Sequence, residues 1–210
     1  MSEGARVFAR IARRYDRLNS ILSLGRDGVW RRRVVEHLPG GRLLDLGAGT
    51  GAGNPEFGDR EVVAVDPSPQ MLALDPEKRR VVAMGEGLPF ADGSFDAVFS
   101  AFVVRNLVSL DDTLTEVARV LRPGGRLGIV DLGRPASRWK RAIHRAGTAV
   151  ALPLAGLTVG APREYWYLHR SLDALPQPDE LYARSPLPTV AQWRMGPLGF
   201  VYGMVAEKPA

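Results

Sequence analysis

An apolar run that passes without a break into glycines leaves few folds open to this chain. Leu43-Leu44-Asp45-Leu46-Gly47-Ala48-Gly49-Thr50-Gly51 reads as a buried strand followed by a tight turn. Glycine in such a turn lets the backbone reverse sharply and approach a ligand with no Cβ in the way. Further apolar runs follow at Glu61–Asp66, Arg79–Met84, Phe95–Ser100 and Arg126–Leu132. Each is too short for a helix, rich in Val, Leu and Ile, and lacks alternation, as expected of parallel strands buried on both faces. Helical spacing over residues 5–37, interrupted near Ser23 to Gly28, places two helices before the first strand. Between strands, the clearest helix is Leu110 to Leu121, ended by Arg122-Pro123-Gly124-Gly125. Helical stretches at Ser137 to about Leu157, Arg163 to Leu172 and Asp179 to Ala183 precede two extended runs, Val190–Met195 and Phe200–Lys208. Gly196-Pro197-Leu198-Gly199 would join these runs as a hairpin. The expected fold is a Rossmann-like α/β domain spanning 1–210. Its mostly parallel seven-stranded sheet ends in an antiparallel hairpin, with an N-terminal helical lid at 1–37 and a helical acceptor-side insertion at 137–185.

Composition narrows the classes further. The 210 residues contain no cysteine, which removes disulfides, thiolate metal sites and a cysteine nucleophile together, and points to the cytoplasm. The N-terminus alternates Arg with apolar residues and lacks the core of a signal peptide. The longest apolar run, Ala146 to Ala161, is broken by Pro153 and falls short of the roughly 20 residues that span a bilayer. A formal charge of +5 suits anionic partners, yet the positive charge is nearly all Arg, with Lys only at Lys78, Lys140 and Lys208. GC-rich codon usage would produce the same pattern.

About twenty residues beyond the glycine turn, the second run ends in Asp66, where a carboxylate can accept both hydroxyls of a ribose. Gly47, Gly49 and Ala52 would fit a dinucleotide fingerprint equally well, so the neighbours must discriminate. Asp45 would face the amino-acid end of S-adenosylmethionine (SAM) but would repel a pyrophosphate. Pro55 and Gly58 leave room for barely one helical turn, a poor anchor for two phosphates. The residues therefore favour SAM, with S-adenosylhomocysteine as product and no metal. Asp45, Gly47, Gly49, Thr50, Gly51, Asp66, Met71, Gly85, Glu86, Gly87, Leu88 and Ala101 are the expected cofactor contacts.

Glu86 to Asp96 resembles the segment that SAM-dependent methyltransferases place beside the adenine, and Arg119 to Leu127 their turn after a helix. Tyr15-Asp16-Arg17-Leu18-Asn19, Leu22-Ser23 and Trp30 resemble a signature of the UbiE family of menaquinone and ubiquinone C-methyltransferases. Phe102-Val103-Val104-Arg105-Asn106 is similar to that family's Phe-Gly-Leu-Arg-Asn, and the likeness runs on through Glu164–Leu168 to Gln177-Pro178-Asp179. The chain departs from the family at four places. Asp27 stands where the family has His, Ala101 where it has a cofactor-binding Ser, Met84-Gly85 where it has Asn-Ala, and Asp131-Leu132-Gly133 where it has Glu-x-Ser.

The resemblance implies C-methylation of a quinol such as demethylmenaquinol. In that reaction a ring carbon becomes nucleophilic when the adjacent hydroxyl loses its proton, and a guanidinium would stabilise the resulting oxyanion. Arg105 is the candidate for that role, unless it anchors its loop through Asp111 or Asp112. Asn106 would orient the acceptor, and Tyr15 with Asp16 would close over the cofactor. Asp27 is either a base in place of the family's His or an exposed loop carboxylate. His144 and His169 fall in the acceptor-side helices. The apolar residues of that insertion, flanked by Trp and Arg, suggest an acceptor pocket opening toward a membrane surface and peripheral attachment there. Three rival readings remain. Against a nucleic-acid methyltransferase, this chain lacks an Asn/Asp-Pro-Pro-aromatic clamp at strand four and a cysteine to attack C6 of cytosine, so no nucleic-acid partner is expected. A phospholipid or other small-molecule N- or O-methyltransferase would use the same framework, and a degenerate SAM-binding protein would keep the fold without turnover.

Overall fold

A computed structural model describes residues 23, 25–135, 137–158, 172–173, 175 and 178–210. Helix α1 (Asp27–Val35) precedes β1 (Arg42–Leu46), and a single 3-10 turn (Asn54–Glu56) separates β1 from β2 (Glu61–Asp66). Helix α2 (Pro69–Leu72), β3 (Arg80–Val82) and β4 (Phe95–Ala101) follow, then a 3-10 turn (Val104–Asn106), α3 (Leu110–Val120) and β5 (Leu121–Leu132). The C-terminal part contains α4 (Arg138–Thr158), α5 (Pro178–Arg184), β6 (Thr189–Met195) and β7 (Val201–Glu207). The expected helix at Arg163 to Leu172 falls largely outside the described residues, as do Tyr15, Asp16 and His169.

The seven strands form one sheet in the order β3-β2-β1-β4-β5-β7-β6. Strands β1 to β5 pair in parallel, whereas β7 runs antiparallel between β5 and β6. The order reverses between β1 and β4, so their C-terminal ends flank a crevice open to a ligand. Apolar runs at β1, β2 and β4 are buried almost throughout because helices cover both faces. On one face Leu114, Val117 and Val120 of α3 join Leu44, Val98 and Leu127, while on the other Trp30, Val34 and Val35 of α1 cover Leu43, Ala97 and Val130. Gly128 lets α1 come this close, since a Cβ there would lie 2.6 Å from Val34 Cγ1.

Strand β5 begins five residues before the expected run. Phe95 pairs with Leu121 but Ala97 already pairs with Arg126, so the Arg122-to-Gly125 turn is carried as a bulge within the strand. Helix α3 begins where Ser109 Oγ accepts the Asp112 N–H at 3.2 Å, with Asp111 and Asp112 in its first turn complementing the helix dipole. Arg119 near its end donates to Glu116, Asp92 and the carbonyls of Leu88 and Phe90, which fixes the segment after β3 against the helix.

Candidate active site

Beyond the C-terminal ends of β1 and β4 lie two adjoining cavities. The first is walled by the glycine turn, the end of β2, the segment after β3 and the turn after β4. Gly47 carries a φ of +76°, and a Cβ there would sit 2.3 Å from Val103 Cγ2. Only glycine combines that backbone with that approach. Gly85 makes room in a different way, because a Cβ would meet Thr113 of α3 at 2.9 Å.

Carboxylates dominate the electrostatics. Asp45 is 3% exposed, and burial, with Asp75 and Asp66 nearby, pushes its pKa up to about 8 against the pull of Arg31. Burial also raises Asp66, although Oδ2 accepts the Gly49 N–H at 3.1 Å and Oδ1 the Ser68 N–H at 2.8 Å. Asp66 thus holds the turn with one lone pair of each oxygen, leaving the others for ribose hydroxyls. Asp75 buttresses the turn from below, accepting from Asn54 Nδ2 at 2.8 Å and the Glu77 N–H at 2.8 Å. Asp45, Asp66 and Glu86 on the wall, with Asp75 behind them, against the guanidinium of Arg31 favour a cationic ligand, on whose approach Asp45 ionises, and oppose a pyrophosphate.

Of the expected cofactor contacts, Asp45, Gly47, Gly49, Thr50, Asp66, Met71, Gly85, Glu86 and Ala101 line this cavity. Gly51, Gly87 and Leu88 do not. Gly51 packs on Asp75 instead, and Leu88 is buried beneath α3 with its N–H donated to Glu116. Glu86 is also structural, since Oε1 accepts the N–H groups of Val108 and Ser109 at 2.7 and 3.0 Å. Sequence reasoning missed Arg31 and Phe102. Arg31 is 4% exposed, reaches the cavity from α1 and stands over the Phe102 ring at 5.4 Å. Phe102 adopts a φ of +63°, a strained conformation for a bulky residue that turns its ring between the two cavities.

The second cavity, about 370 Å³, lies between α1, α4 and the β6–β7 connection and is lined chiefly by apolar residues such as Trp30, Phe102, Ile143, Leu152 and Phe200. Arg105, from the turn after β4, opens onto it. The Arg105 guanidinium lies 3.8 Å from Asp131 Oδ1 with both side chains buried, while Asp111 pairs with Arg184 instead. The alternative anchor for Arg105 at Asp111 or Asp112 is therefore replaced by Asp131, whose pKa burial raises and Arg105 lowers. Asn106 faces the cofactor cavity rather than the acceptor side, and its Oδ1 is buried without a hydrogen-bond partner among the described residues. Asp27 is neither exposed nor in a loop. It opens α1, lines the apolar cavity and bonds Arg31 at 2.5 Å and Ser23 at 2.9 Å. His144 of α4 lines the same cavity, stacked on Phe200 at 5.1 Å.

This fold, with a nucleotide-type turn after β1 and an antiparallel hairpin at one edge of the sheet, is that of SAM-dependent methyltransferases. A SAM-dependent methyltransferase from Thermotoga maritima superposes with a TM-score of 0.68 at 18% identity, over 97% of this chain and 99% of that one. The chain belongs to the ubiE/COQ5 methyltransferase family, whose model matches residues 2–184. It is 40% identical over 190 residues to the demethylmenaquinone methyltransferase of Mycolicibacterium vanbaalenii, covering 87% of this chain and 83% of that protein. Identity to the demethylmenaquinone methyltransferase of Mycolicibacterium gilvum is 37% over 217 residues, or 99% and 95% of the two chains. The protein is accordingly a methyltransferase whose methyl donor is SAM.

Proposed function

We propose that this enzyme transfers the methyl group of SAM to a ring carbon of a demethylmenaquinol-type quinol. The observation that carries the reading is the apolar cavity beside the carboxylate-lined one, with Phe102 shared by both and Arg105 on the apolar side. SAM would place its ammonium at Asp45, its carboxylate toward Arg31 and its ribose at Asp66. The methyl then faces the Phe102 wall, across which the acceptor ring lies. Transfer needs alignment and a dry pocket rather than a strong catalyst, because the sulfonium charge disperses as the carbon attacks. Arg105 would stabilise the charge that develops on the acceptor oxygen, and Asp131 sets its orientation. Asn106 Oδ1 is left to the cofactor side of the reacting pair.

The acceptor's tail is hydrophobic, and α4 offers a surface to match. Trp139, Ile143, Val150, Leu154 and Leu157 recur at spacings of four, seven, four and three residues along one helix face and are each more than half exposed. Arg138, Lys140, Arg141 and Arg145 flank the first turns of this stripe. Ile143 also lines the apolar cavity, so the stripe leads from the pocket to the outside. Among the described residues no helix is long and apolar enough to cross a membrane. Attachment at the membrane face through α4 would let a quinol head enter while its tail stays in lipid.

The test is Arg105→Ala, assayed with SAM and demethylmenaquinol. Transfer is expected to fall about 100-fold or more, the typical loss of one oxyanion donor, with SAM affinity nearly intact. Full turnover in this variant would remove Arg105 from the mechanism.

A further inference from the structure

We propose that Asp27 is the carboxylate that receives the acceptor's hydroxyl, the one adjacent to the methylated carbon, first as a hydrogen-bond acceptor and then as the proton acceptor during transfer. This rests on the quinol reading above and assigns the group in this chain that faces the acceptor's oxygen.

Asp27 is the only carboxylate among the described residues on the wall of the apolar cavity. It begins α1, one turn before Arg31, whose Nη1 donates to Oδ2, while Ser23 Oγ donates to Oδ1 at 2.9 Å. With its own backbone N–H as a third donor, the carboxylate keeps one acceptor site, and the side chain retains 19% of its accessible surface. Arg31 reaches the cofactor cavity and Asp27 the acceptor cavity, so the pair stands at the junction the methyl group must cross. Burial raises the Asp27 pKa, but the Arg31 bond and charge and the Ser23 bond outweigh it and hold the group below the ordinary carboxylate value. It is ionised throughout the neutral range.

A carboxylate this acidic cannot take the proton of a resting quinol, whose hydroxyl is far weaker an acid. The balance changes as the carbon–carbon bond forms. Ring electrons pass to the methyl carbon, the carbon–sulfur pair stays on sulfur, and the sulfonium becomes the neutral thioether of S-adenosylhomocysteine. The hydroxyl grows more acidic as the ring gives up electrons, and its proton moves to Asp27 in the same step, so the oxygen passes through partial negative charge under Arg105 to a neutral carbonyl. The ring carbon now bears both hydrogen and methyl beside a neutral carbonyl. Loss of that carbon-bound proton to water, with return of the Asp27 proton to the carbonyl oxygen, restores the aromatic quinol. One proton is released in total. A carboxylate held at low pKa suits this sequence because it acts only when the acid opposite it is strong.

Among the described residues, the charged and titratable groups facing Asp27 are Arg31 on its own helix, Arg105 from the turn after β4 and His144 from α4. The test compares the full-length wild type with Asp27→Asn and Asp27→His, using SAM and demethylmenaquinol, with SAM affinity read by calorimetry and folding by thermal melting. Asparagine keeps an oxygen for Arg31, so SAM affinity is expected to stay within about threefold while turnover falls about 100-fold or more. Histidine is expected to restore part of the turnover and to add a rising limb near pH 6.5 that the wild type lacks. Any His144 limb appears in both proteins and cancels in the comparison. Asp27→Asn turnover within threefold of wild type would overturn the role of Asp27 alone, as would an Asp27→His profile identical in shape to wild type. An inactive wild type would overturn the quinol reading and this proposal with it.

Discussion

Binding of SAM to this enzyme is expected to strengthen as pH rises, because Asp45, proposed above to receive the ligand's ammonium, is largely protonated in the free protein. Burial and two neighbouring carboxylates push Asp45 up to about 8, so near neutrality most free molecules carry it neutral. The ammonium binds best to the ionised form, and only that fraction is competent at full strength. The apparent dissociation constant then scales as one plus ten raised to the difference between the pKa and the pH. Between pH 6 and 7.5 that factor falls from about 100 to about 4, a gain of about 25-fold or about 1.9 kcal/mol. The ligand's own α-amino group remains mostly protonated over this interval. The sign follows from linkage: a carboxylate with an elevated pKa loses its proton on meeting a cation, so binding releases protons and affinity rises through the elevated pKa. Calorimetry at several pH values, in buffers of different ionisation enthalpy, reads both affinity and protons released. Asp45→Asn should bind more weakly and lose most of the slope. A wild-type dissociation constant constant within threefold across this interval would refute the reasoning.

Two further outcomes follow from the same geometry. Gly47→Ala should cost about 2–5 kcal/mol, combining a positive φ with a Cβ driven into Val103, and should depress both melting temperature and SAM affinity. An unchanged melt would contradict the placement of that turn. Leu154→Glu with Leu157→Glu should reduce flotation with anionic liposomes while leaving turnover of a short-tailed, water-soluble quinol unchanged. Equal flotation of the two proteins would exclude α4 as the membrane face.

Much of the sheet was legible because local sequence and tertiary burial agree. The runs at β1, β2 and β4 are apolar on both faces, and the sheet buries both faces. Helix α3 lies within one residue of its expected span since Ser109, the acidic first turn and the apolar face all point the same way. The cofactor wall was legible where it follows directly from the glycine turn and from Asp66. It was not legible where it depends on elements far apart in sequence. Arg31 faces the cavity only because α1 packs over Gly128 of β5, and Phe102 only because its backbone is forced to positive φ. Asp111 and Asp112 are the carboxylates nearest Arg105 in sequence, but α5 takes Asp111 through Arg184 and β5 brings Asp131 beneath Arg105. In the sequence Asp27 reads equally as a loop residue because the α1 pattern starts at Val29, and a helix start is fixed by geometry that apolar spacing does not report.

The most direct measurement of the central claim locates the transferred methyl group. The enzyme is incubated with isotopically labelled SAM and a lipid extract containing demethylmenaquinol under reducing conditions, and the labelled product is isolated and examined by mass spectrometry and NMR. The expected result is one labelled methyl on the quinol ring carbon beside a hydroxyl, with S-adenosylhomocysteine formed in equal amount. Label on an oxygen, on a phospholipid headgroup nitrogen or on no lipid would contradict the account.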